Sequence, residues 1–382
     1  MKKIFIAILF CYTIPLFAKA VPPAPSLTEE VQNILTHYHL NAEPKKIKES
    51  AIKGMIQSLD DPYTKYIPKK EFEKMSKILK EKTAQIGIDI GIRDHHYIIL
   101  SVQPQSPAEK YGLKPLDQIL EIDQTPIAGK SLFEIETLLL GDKGSRITLA
   151  IRRLTTSKTI YVTLNRDNVP IKAIDKKEIF YDKVGYIKIS SFYHPQLDKE
   201  FEQTLNLFLD QNIESLIIDL RSNGGGLLKQ SLAIASFFIE EGKPILFIQR
   251  KEMSEQTLFA RGNSIGKNLP LIVLVNEGTA SSSEILAAAI RDHEKGILVG
   301  TPTFGKTSVQ QVFPLQNGSA IVCSIAKYKT AKGQDISQLG LQPDLIENIP
   351  QHIQYQQKSP YYRYDYQSDN QLMAAITVAL QH

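Results

Sequence analysis

The stretch Leu216-Ile217-Ile218-Asp219-Leu220-Arg221-Ser222-Asn223-Gly224-Gly225-Gly226 joins a continuous apolar run to three consecutive glycines. A run without polar alternation is typical of a parallel strand that is buried on both faces. The glycines that follow allow the backbone to turn tightly, and the pattern of residues 227–239 predicts a helix. The stretch therefore predicts a strand–loop–helix unit of an α/β sheet.

Two further units of this kind follow along the chain. Residues 271–275 form a second apolar run, which precedes a serine-rich turn and a predicted helix over 284–292. Residues 297–299 form a third run. Because open α/β sheets bind ligands beyond the carboxyl ends of their strands, we expect the loops after the three runs to lie together. These loops are residues 222–226, 278–283 and 303–307.

The first twenty residues predict a secretory signal peptide, with a basic start, an apolar stretch over 4–17 and the small-x-small site Ala18-Lys19-Ala20. An uncleaved N-terminal anchor is the alternative. Removal of three lysines lowers the count of Lys and Arg from 45 to 42 against 41 Asp and Glu, so the formal net charge falls from +4 to +1. A near-neutral chain argues against a nucleic-acid partner. Cys323 then has no disulfide partner, and its apolar neighbours predict a buried thiol.

The rest of the chain predicts a multidomain protein that combines an α/β domain with an α+β module. Residues 84–165 alternate short strands with two helices, whose starts are marked by Ser106 and Ser131. The predicted organisation is a signal peptide at 1–20, an N-terminal helical region at 21–83, the α+β module at 84–165, the α/β domain at 166–349, and a tail at 350–382 that ends in a helix.

Ser281, Ser282 and Ser283 directly precede a predicted helix, where unpaired N–H groups and the helix dipole stabilise negative charge. This position suits a nucleophile that develops an oxyanion beside itself. Taken alone, the serines are more simply explained as helix caps, and Lys306 as a surface lysine. His293 is close enough in sequence to leave a Ser–His–Asp triad open, and a Ser–Lys dyad is a variant of the same logic.

A rival interpretation comes from residues 300–307, which match the phosphate-loop pattern G-x-x-x-x-G-K-[ST]. Such a loop must open a helix, whose N-terminus holds the phosphates. Here residues 308–314 predict a strand, which leads to a hairpin around Asn317-Gly318. Pro302 also lacks the N–H group that the loop would have to donate. The sequence therefore disfavours nucleotide binding.

Together these motifs resemble the C-terminal processing serine peptidases that contain a PDZ domain. The resemblance extends from about Ser26 to Pro350. It implies a crotonase/ClpP-like α/β peptidase core at 166–349, with an inserted PDZ domain at 84–165 and an N-terminal helical region. It is carried by the segments Ala51–Met55, Ser58–Thr64, Ser106–Glu109, Asp219–Gly226, Thr279–Ile285 and Thr303–Gln310.

The resemblance implies a role for each matching residue. Ser281 is the nucleophile, Lys306 the general base, and Gln310 the residue that orients the lysine. The backbone N–H groups of Gly226 and Ser282 form the oxyanion hole. The family needs no metal or cofactor, so the resemblance implies none here.

The resemblance also implies that the PDZ domain binds protein or peptide substrates, with the carboxylate received near Ile86-Gly87-Ile88. Gln85 and Leu116 stand where the family usually has glycine. We therefore keep a second hypothesis, a PDZ scaffold whose peptidase domain is inactive or depends on an activator. The expected location is periplasmic or otherwise extracytoplasmic, with membrane association if the signal is not cleaved. The sequence is compatible with an adaptor or activator protein as a partner and with a homo-oligomer, and it selects neither.

Overall fold

The computed structural model describes residues 26–81, 84–153, 158–169, 173–262, 264–337, 339–348 and 366–381. The predicted signal peptide at 1–20 lies outside these ranges, as does the beginning of the tail at 350–365. Within the described ranges, no helix has the length and apolar character that a membrane crossing requires. The contacts divide the chain into two units, Met1–Ser58 and Leu59–His382.

The described part of the first unit contains two helices, α1 (Leu27–Tyr38) and α2 (Pro44–Gln57). Helix α1 starts at a capping box, in which the Ser26 N–H donates to the Glu29 carboxylate (2.8 Å). The apolar faces of the two helices are largely exposed rather than packed, and Val31 is 47% exposed.

The α+β module forms an antiparallel sheet in the order β2-β3-β4-β6-β7, with β5 beside β4. Its helices start as predicted, because the Ser106 and Ser131 hydroxyls accept from backbone N–H groups three residues later. The elements up to the end of this module are β1 (Lys65–Ile67), α3 (Lys69–Glu81), β2 (Ile88–Arg93), β3 (His96–Val102), α4 (Pro107–Lys110), β4 (Gln118–Ile122), β5 (Thr125–Pro126), α5 (Leu132–Leu139), β6 (Arg146–Arg152) and β7 (Thr159–Asn165).

The remaining elements follow in chain order. They are β8 (Ile174–Phe180), β9 (Val184–Ile189), α6 (Leu197–Asp210), β10 (Ser215–Asp219), α7 (Leu228–Ser236), β11 (Pro244–Arg250), β12 (Gln256–Phe259), β13 (Leu271–Val275), α8 (Ser282–Asp292), β14 (Gly296–Gly300), β15 (Ser308–Pro314), β16 (Ala320–Thr330), β17 (Leu345–Ile346), a 3-10 turn (Tyr366–Ser368) and α9 (Asn370–Ala379).

The central sheet has the order β17-β14-β13-β10-β9-β8 and is parallel except for β8. Every residue of β10 and β13 is buried, as the apolar runs predict. Residues of α6, α7 and α8 pack in the core on one face of the sheet, and residues of α9 pack in a second core on the other. The carboxyl ends of β10, β13 and β14 therefore lie side by side.

A second antiparallel sheet has the order β1-β16-β11-β12, with β15 also pairing with β16. Strand β15 begins two residues after Lys306, which confirms the predicted strand and hairpin and rules out the helix that a phosphate loop requires. Cys323 is half-buried, so the prediction of a buried thiol was wrong. Successive residues of a strand point to opposite faces, and Cys323 lies on the less covered face, opposite the buried Val322.

Candidate active site

The loops after β10, β13 and β14 meet at one place. The Ala280 N–H donates to the Asn223 carbonyl (3.0 Å), which joins the first two loops. The Phe304 N–H donates to the Thr279 carbonyl (3.0 Å) and brings in the third. The first two loops approach so closely that a Cβ added at Gly225 would lie 2.9 Å from the Cβ of Ser281. The glycine turn is therefore needed for this approach.

Ser281 occupies a strained turn between β13 and α8. Its backbone angles are φ 56° and ψ −119°, and residues other than glycine rarely adopt a positive φ. Strain of this kind is concentrated at functional sites, and the nucleophilic serine of other hydrolases sits on a sharp strand-to-helix turn of the same kind. The side chain is half-buried at the N-terminus of α8. The geometry suits a nucleophile better than a simple helix cap.

Gly226 and Ser282 lie together beside Ser281. The Ser282 hydroxyl donates to the Gly226 carbonyl (2.8 Å). Gly226 has φ +142°, and a Cβ there would lie 2.4 Å from the Phe192 backbone carbon, so a side chain would not fit. None of the hydrogen bonds found within the described ranges uses the N–H of Gly226 or Ser282. Both N–H groups remain available for an oxyanion.

Lys306 is half-buried and lies near two carboxylates of the α+β module, those of the half-buried Asp89 and of Glu136. Burial raises the pKa of Asp89 on β2, and the Ser101 hydroxyl and the charge of Lys306 oppose that rise. Partial desolvation also raises the pKa of Glu136 on α5, against the charge of Lys306 and with a further contribution from Asp89. The charge of Lys306 therefore acts on one carboxylate of β2 and on one of α5.

The α+β module packs directly on the loops that contain Ala280 and Phe304. Ile98 and Leu100 of β3 share a small apolar cluster with Ala280 and Phe304. The Arg93 guanidinium lies over the Phe304 ring, 4.7 Å from its centroid, and donates to the Phe304 carbonyl (3.4 Å). The segment that leads into Lys306 therefore rests on the α+β module.

Gln310 is on β15, and its amide donates to the Ser308 hydroxyl (2.9 Å). Within the described part of the chain, no hydrogen bond joins Gln310 to Lys306. His293 lies at the far end of α8 from Ser281, and its ring bonds the Pro244 carbonyl (2.7 Å). Because 11 helical residues span about 16 Å, the structure rules out a triad through His293.

The predicted carboxylate-binding residues form the turn that leads into β2. The carbonyls of Ile86 and Gly87 accept from Ala108 and Gln103 N–H groups (both 2.9 Å), so the turn is fixed from behind. Gly87 has φ +82°, and a Cβ there would lie 2.3 Å from the Cβ of Ser106. Ile88 is buried. The structure therefore places these residues at the start of β2.

Sequence reasoning missed Glu284 and Tyr328, which contact both the Ser281 and the Lys306 segments. Glu284 follows Ser281 at the spacing of a capping box, so that pattern could have marked it. No local signal points to Tyr328. Within the described ranges, no group of three or more His, Cys, Asp or Glu side chains is arranged to hold a metal ion.

Comparison with known proteins decides the family. The carboxy-terminal processing protease CtpA of Bacillus subtilis is 32% identical over 336 residues, which cover 88% of this chain and 70% of that protein. The chain belongs to the carboxy-terminal processing protease family. CtpB of the same organism is 33% identical over 84% of this chain and 67% of its own length. The protein is accordingly a serine-type peptidase.

Domain models and a solved structure agree with this assignment. Residues 183–346 match Peptidase family S41, residues 84–164 match a PDZ domain, and residues 26–71 match the N-terminal domain of the activating protease CtpB. The photosystem II D1 C-terminal processing protease is 27% identical, with a TM-score of 0.73, and the match covers 84% of this chain and 87% of that one. The predicted fold, a peptidase core with a PDZ domain and an N-terminal helical region, is confirmed.

Proposed function

We propose that this processing protease is an exported endopeptidase that cleaves proteins near their C-termini, with Ser281 as nucleophile and Lys306 as general base. One observation carries the proposal. Ser281 sits on a strained turn at a helix N-terminus, beside two N–H groups that no hydrogen bond in the described ranges uses. The match of the nucleophile and base segments to the family pattern supports the same assignment.

The proposed reaction is ordinary acyl transfer. The Ser281 hydroxyl oxygen attacks the peptide carbonyl carbon, while the neutral amine of Lys306 takes the hydroxyl proton. The Gly226 and Ser282 N–H groups stabilise the tetrahedral oxyanion. Lys306 then gives the proton to the departing amine, and water hydrolyses the acyl-enzyme by the same steps. Gln310 would orient the lysine, which requires its amide to leave Ser308.

The remaining parts of the proposal concern substrate delivery. In this proposal the turn Ile86-Gly87-Ile88 receives the carboxylate of a protein or peptide substrate. The PDZ domain, with predicted boundaries 84–165, binds the substrate, and the catalytic domain, with predicted boundaries 166–349, cleaves it. Export through the segment 1–20 would place the enzyme in the periplasm or another extracytoplasmic space.

Cleavage of an unfolded protein tests the proposal. Ser281→Ala and Lys306→Ala should each lower turnover by about a thousandfold or more, and a fluorophosphonate should label the wild type but not Ser281→Ala. Ser236→Ala is the matched control, because this buried serine on α7 bonds the Leu232 carbonyl and the Arg261 N–H and none of the proposed catalytic residues. Wild-type turnover by Ser281→Ala or Lys306→Ala would refute the assignment.

A second candidate, a peptidase that depends on an activator, is favoured by the carboxylates of Asp89 and Glu136 near Lys306. Because both carboxylates belong to the PDZ domain, a peptide bound there would change the electrostatic environment of the proposed base. In this case fluorophosphonate labelling of Ser281 would be slow and would accelerate when a peptide with a free C-terminus is added. Equal labelling with and without the peptide would contradict it.

A further inference from the structure

The carboxylate of Glu284 is fully buried, yet it is not paired with a cation within the described ranges. It lies in the first turn of α8 and accepts the Ser281 N–H (2.9 Å), as a capping residue does. It also accepts the Lys306 N–H (3.0 Å) on the same oxygen. Its other oxygen accepts the Gly305 N–H (2.7 Å) and the Thr303 hydroxyl.

These four donors exceed what helix capping requires. At α1, the carboxylate of Glu29 accepts only from Ser26, through its N–H and its hydroxyl. An ionised carboxylate has about four acceptor positions, and Glu284 fills all of them with donors from two separate loops. The backbones of Ser281 and Lys306 are therefore held on one oxygen atom.

Tyr328 makes a second link between the same two residues. Its hydroxyl lies 2.6 Å from the Lys306 carbonyl and 3.2 Å from the Ser281 carbonyl, so one hydrogen is shared between two acceptors. The side chain is buried on β16, and this burial, with the nearby charge of Glu284, raises the pKa of the hydroxyl well above its usual value. The hydroxyl therefore remains a donor at any working pH.

We propose that Glu284 and Tyr328 are positioning residues that fix the distance between the nucleophile and the base. Glu284 takes the N–H groups of Ser281 and Lys306, and Tyr328 bonds their carbonyls, so both backbones are held from both sides. Neither side chain needs to touch the reacting atoms. The inference rests on the proposed roles of Ser281 and Lys306.

The expected effect follows from geometry. A misplacement of about 1 Å in a catalytic pair can cost about a hundredfold in rate. Tyr328→Phe removes only the hydroxyl and keeps the ring packing, so we expect kcat to fall about tenfold with KM unchanged. Glu284→Gln keeps the shape of the side chain, but its NH₂ group would replace one carboxylate oxygen and face the two donors that this oxygen accepts. It breaks two of the four hydrogen bonds, and we expect kcat to fall about a hundredfold.

The experiment measures kcat and KM on an unfolded protein substrate, together with the fraction of each variant that is folded. Tyr97→Phe is the matched control, because this buried tyrosine donates to the Lys130 carbonyl within the PDZ module. It removes a comparable hydrogen bond and should leave kcat unchanged. A purely structural role predicts losses that match the folded fraction, whereas positioning predicts a lower kcat per folded molecule.

If Tyr328→Phe and Glu284→Gln keep the wild-type kcat per folded molecule, the inference is wrong. Should Glu284→Gln fail to fold, Tyr328→Phe alone decides. A separate result bears on the proposed function, because loss of turnover in Ser281→Ala together with normal turnover in Tyr328→Phe would reject only the positioning role. Normal turnover in Ser281→Ala would reject both.

Discussion

Two carboxylates, the buried Asp219 and the half-buried Asp89, lie beside the glycine turn and differ in their partners. Asp219 ends β10, and burial would raise its pKa, but the charge and hydrogen bonds of Arg221 outweigh burial and lower the pKa to about 2. Asp89 packs against Gly224, and there the Ser101 hydroxyl and Lys306 do not outweigh burial, so its pKa stays raised. One carboxylate has a permanent cation, whereas the other lies near Lys306, the proposed general base.

The two sites therefore differ in what their charges do. The Arg221–Asp219 pair stabilises the fold, whereas Asp89 lies near a residue proposed for catalysis. Arg221 bonds Asp219 (2.7 Å) and Asp369 at the start of α9 (2.9 Å), so this network ties the turn to the last described helix. Nothing in the proposed reaction requires it to change. At Asp89, by contrast, the surrounding charge changes during the proposed reaction, because Lys306 takes a proton from Ser281 and then gives it to the departing amine. Four predictions test this contrast, from the largest expected effect to the smallest.

Removal of the permanent cation should have the largest effect. Arg221→Met leaves the buried Asp219 without its ion-pair partner, and breaking a buried pair costs about 3–5 kcal/mol. Urea unfolding should show this loss in the free energy of unfolding. Adding Asp219→Asn to Arg221→Met should restore part of it. A loss below about 1 kcal/mol would mean that the pair does not hold this region.

Acid should also lower the free energy of unfolding through Asp219, by a smaller amount than Arg221→Met does. The pKa falls from the ordinary 3.8 to about 2 on folding, which corresponds to about 2 kcal/mol of stability. This contribution is fully present above pH 3.8 and is lost as the pH falls through 2. The raised pKa of Asp89 has the opposite sign, because its contribution is present at low pH and is lost as the pH rises through the folded value. Unfolding of Asp219→Asn and Asp89→Asn across pH 2–7 separates the two.

Removal of the Asp89 charge should change activity more than stability. Asp89→Asn removes a negative charge from the surroundings of the proposed oxyanion and base, so the pH profile of kcat/KM on a short peptide should change, with about a tenfold gain near neutral pH. Glu136 and Tyr193 also lie in this electrostatic environment, so Glu136→Gln should act in the same direction. Asp94→Asn, on the exposed β2–β3 turn, is the control, and an unchanged profile in Asp89→Asn would reject the effect.

The smallest effect is expected for the hydroxyl that supports Asp219. Tyr186 donates to Asp219 (2.8 Å) from β9, and Tyr186→Phe should cost about 1 kcal/mol of stability. Because Arg221 keeps the carboxylate ionised, turnover per folded molecule should not change. Thermal unfolding measures the loss of stability, and the cleavage assay measures turnover per folded molecule. A fall in turnover would show that Asp219 also affects catalysis.

Much of the fold could be predicted because its signals are local. The apolar run at 271–275 coincides with β13. The capping serines Ser106 and Ser131 start α4 and α5. The loops at the carboxyl ends of the strands could be placed together because parallel order follows from alternating strands and helices. Ser281 itself was selected among three adjacent serines only through the family resemblance.

The supporting contacts could not be predicted because they join distant parts of the chain. Tyr328 lies 22 residues from Lys306 and 47 from Ser281, and only the pairing of β15 with β16 brings it to them. Asp89 comes from another domain. His293 shows the converse, since short spacing suggested a triad but the length of α8 separates it from Ser281.

The positive φ of Ser281 has a consequence for how this protein can change over generations. A glycine would adopt that conformation without strain, so the fold would be more stable with glycine at the position that the proposed chemistry needs most. Selection for stability and selection for activity then act in opposite directions at a single codon. Related chains that have lost the need to cleave are expected to drift first at this position.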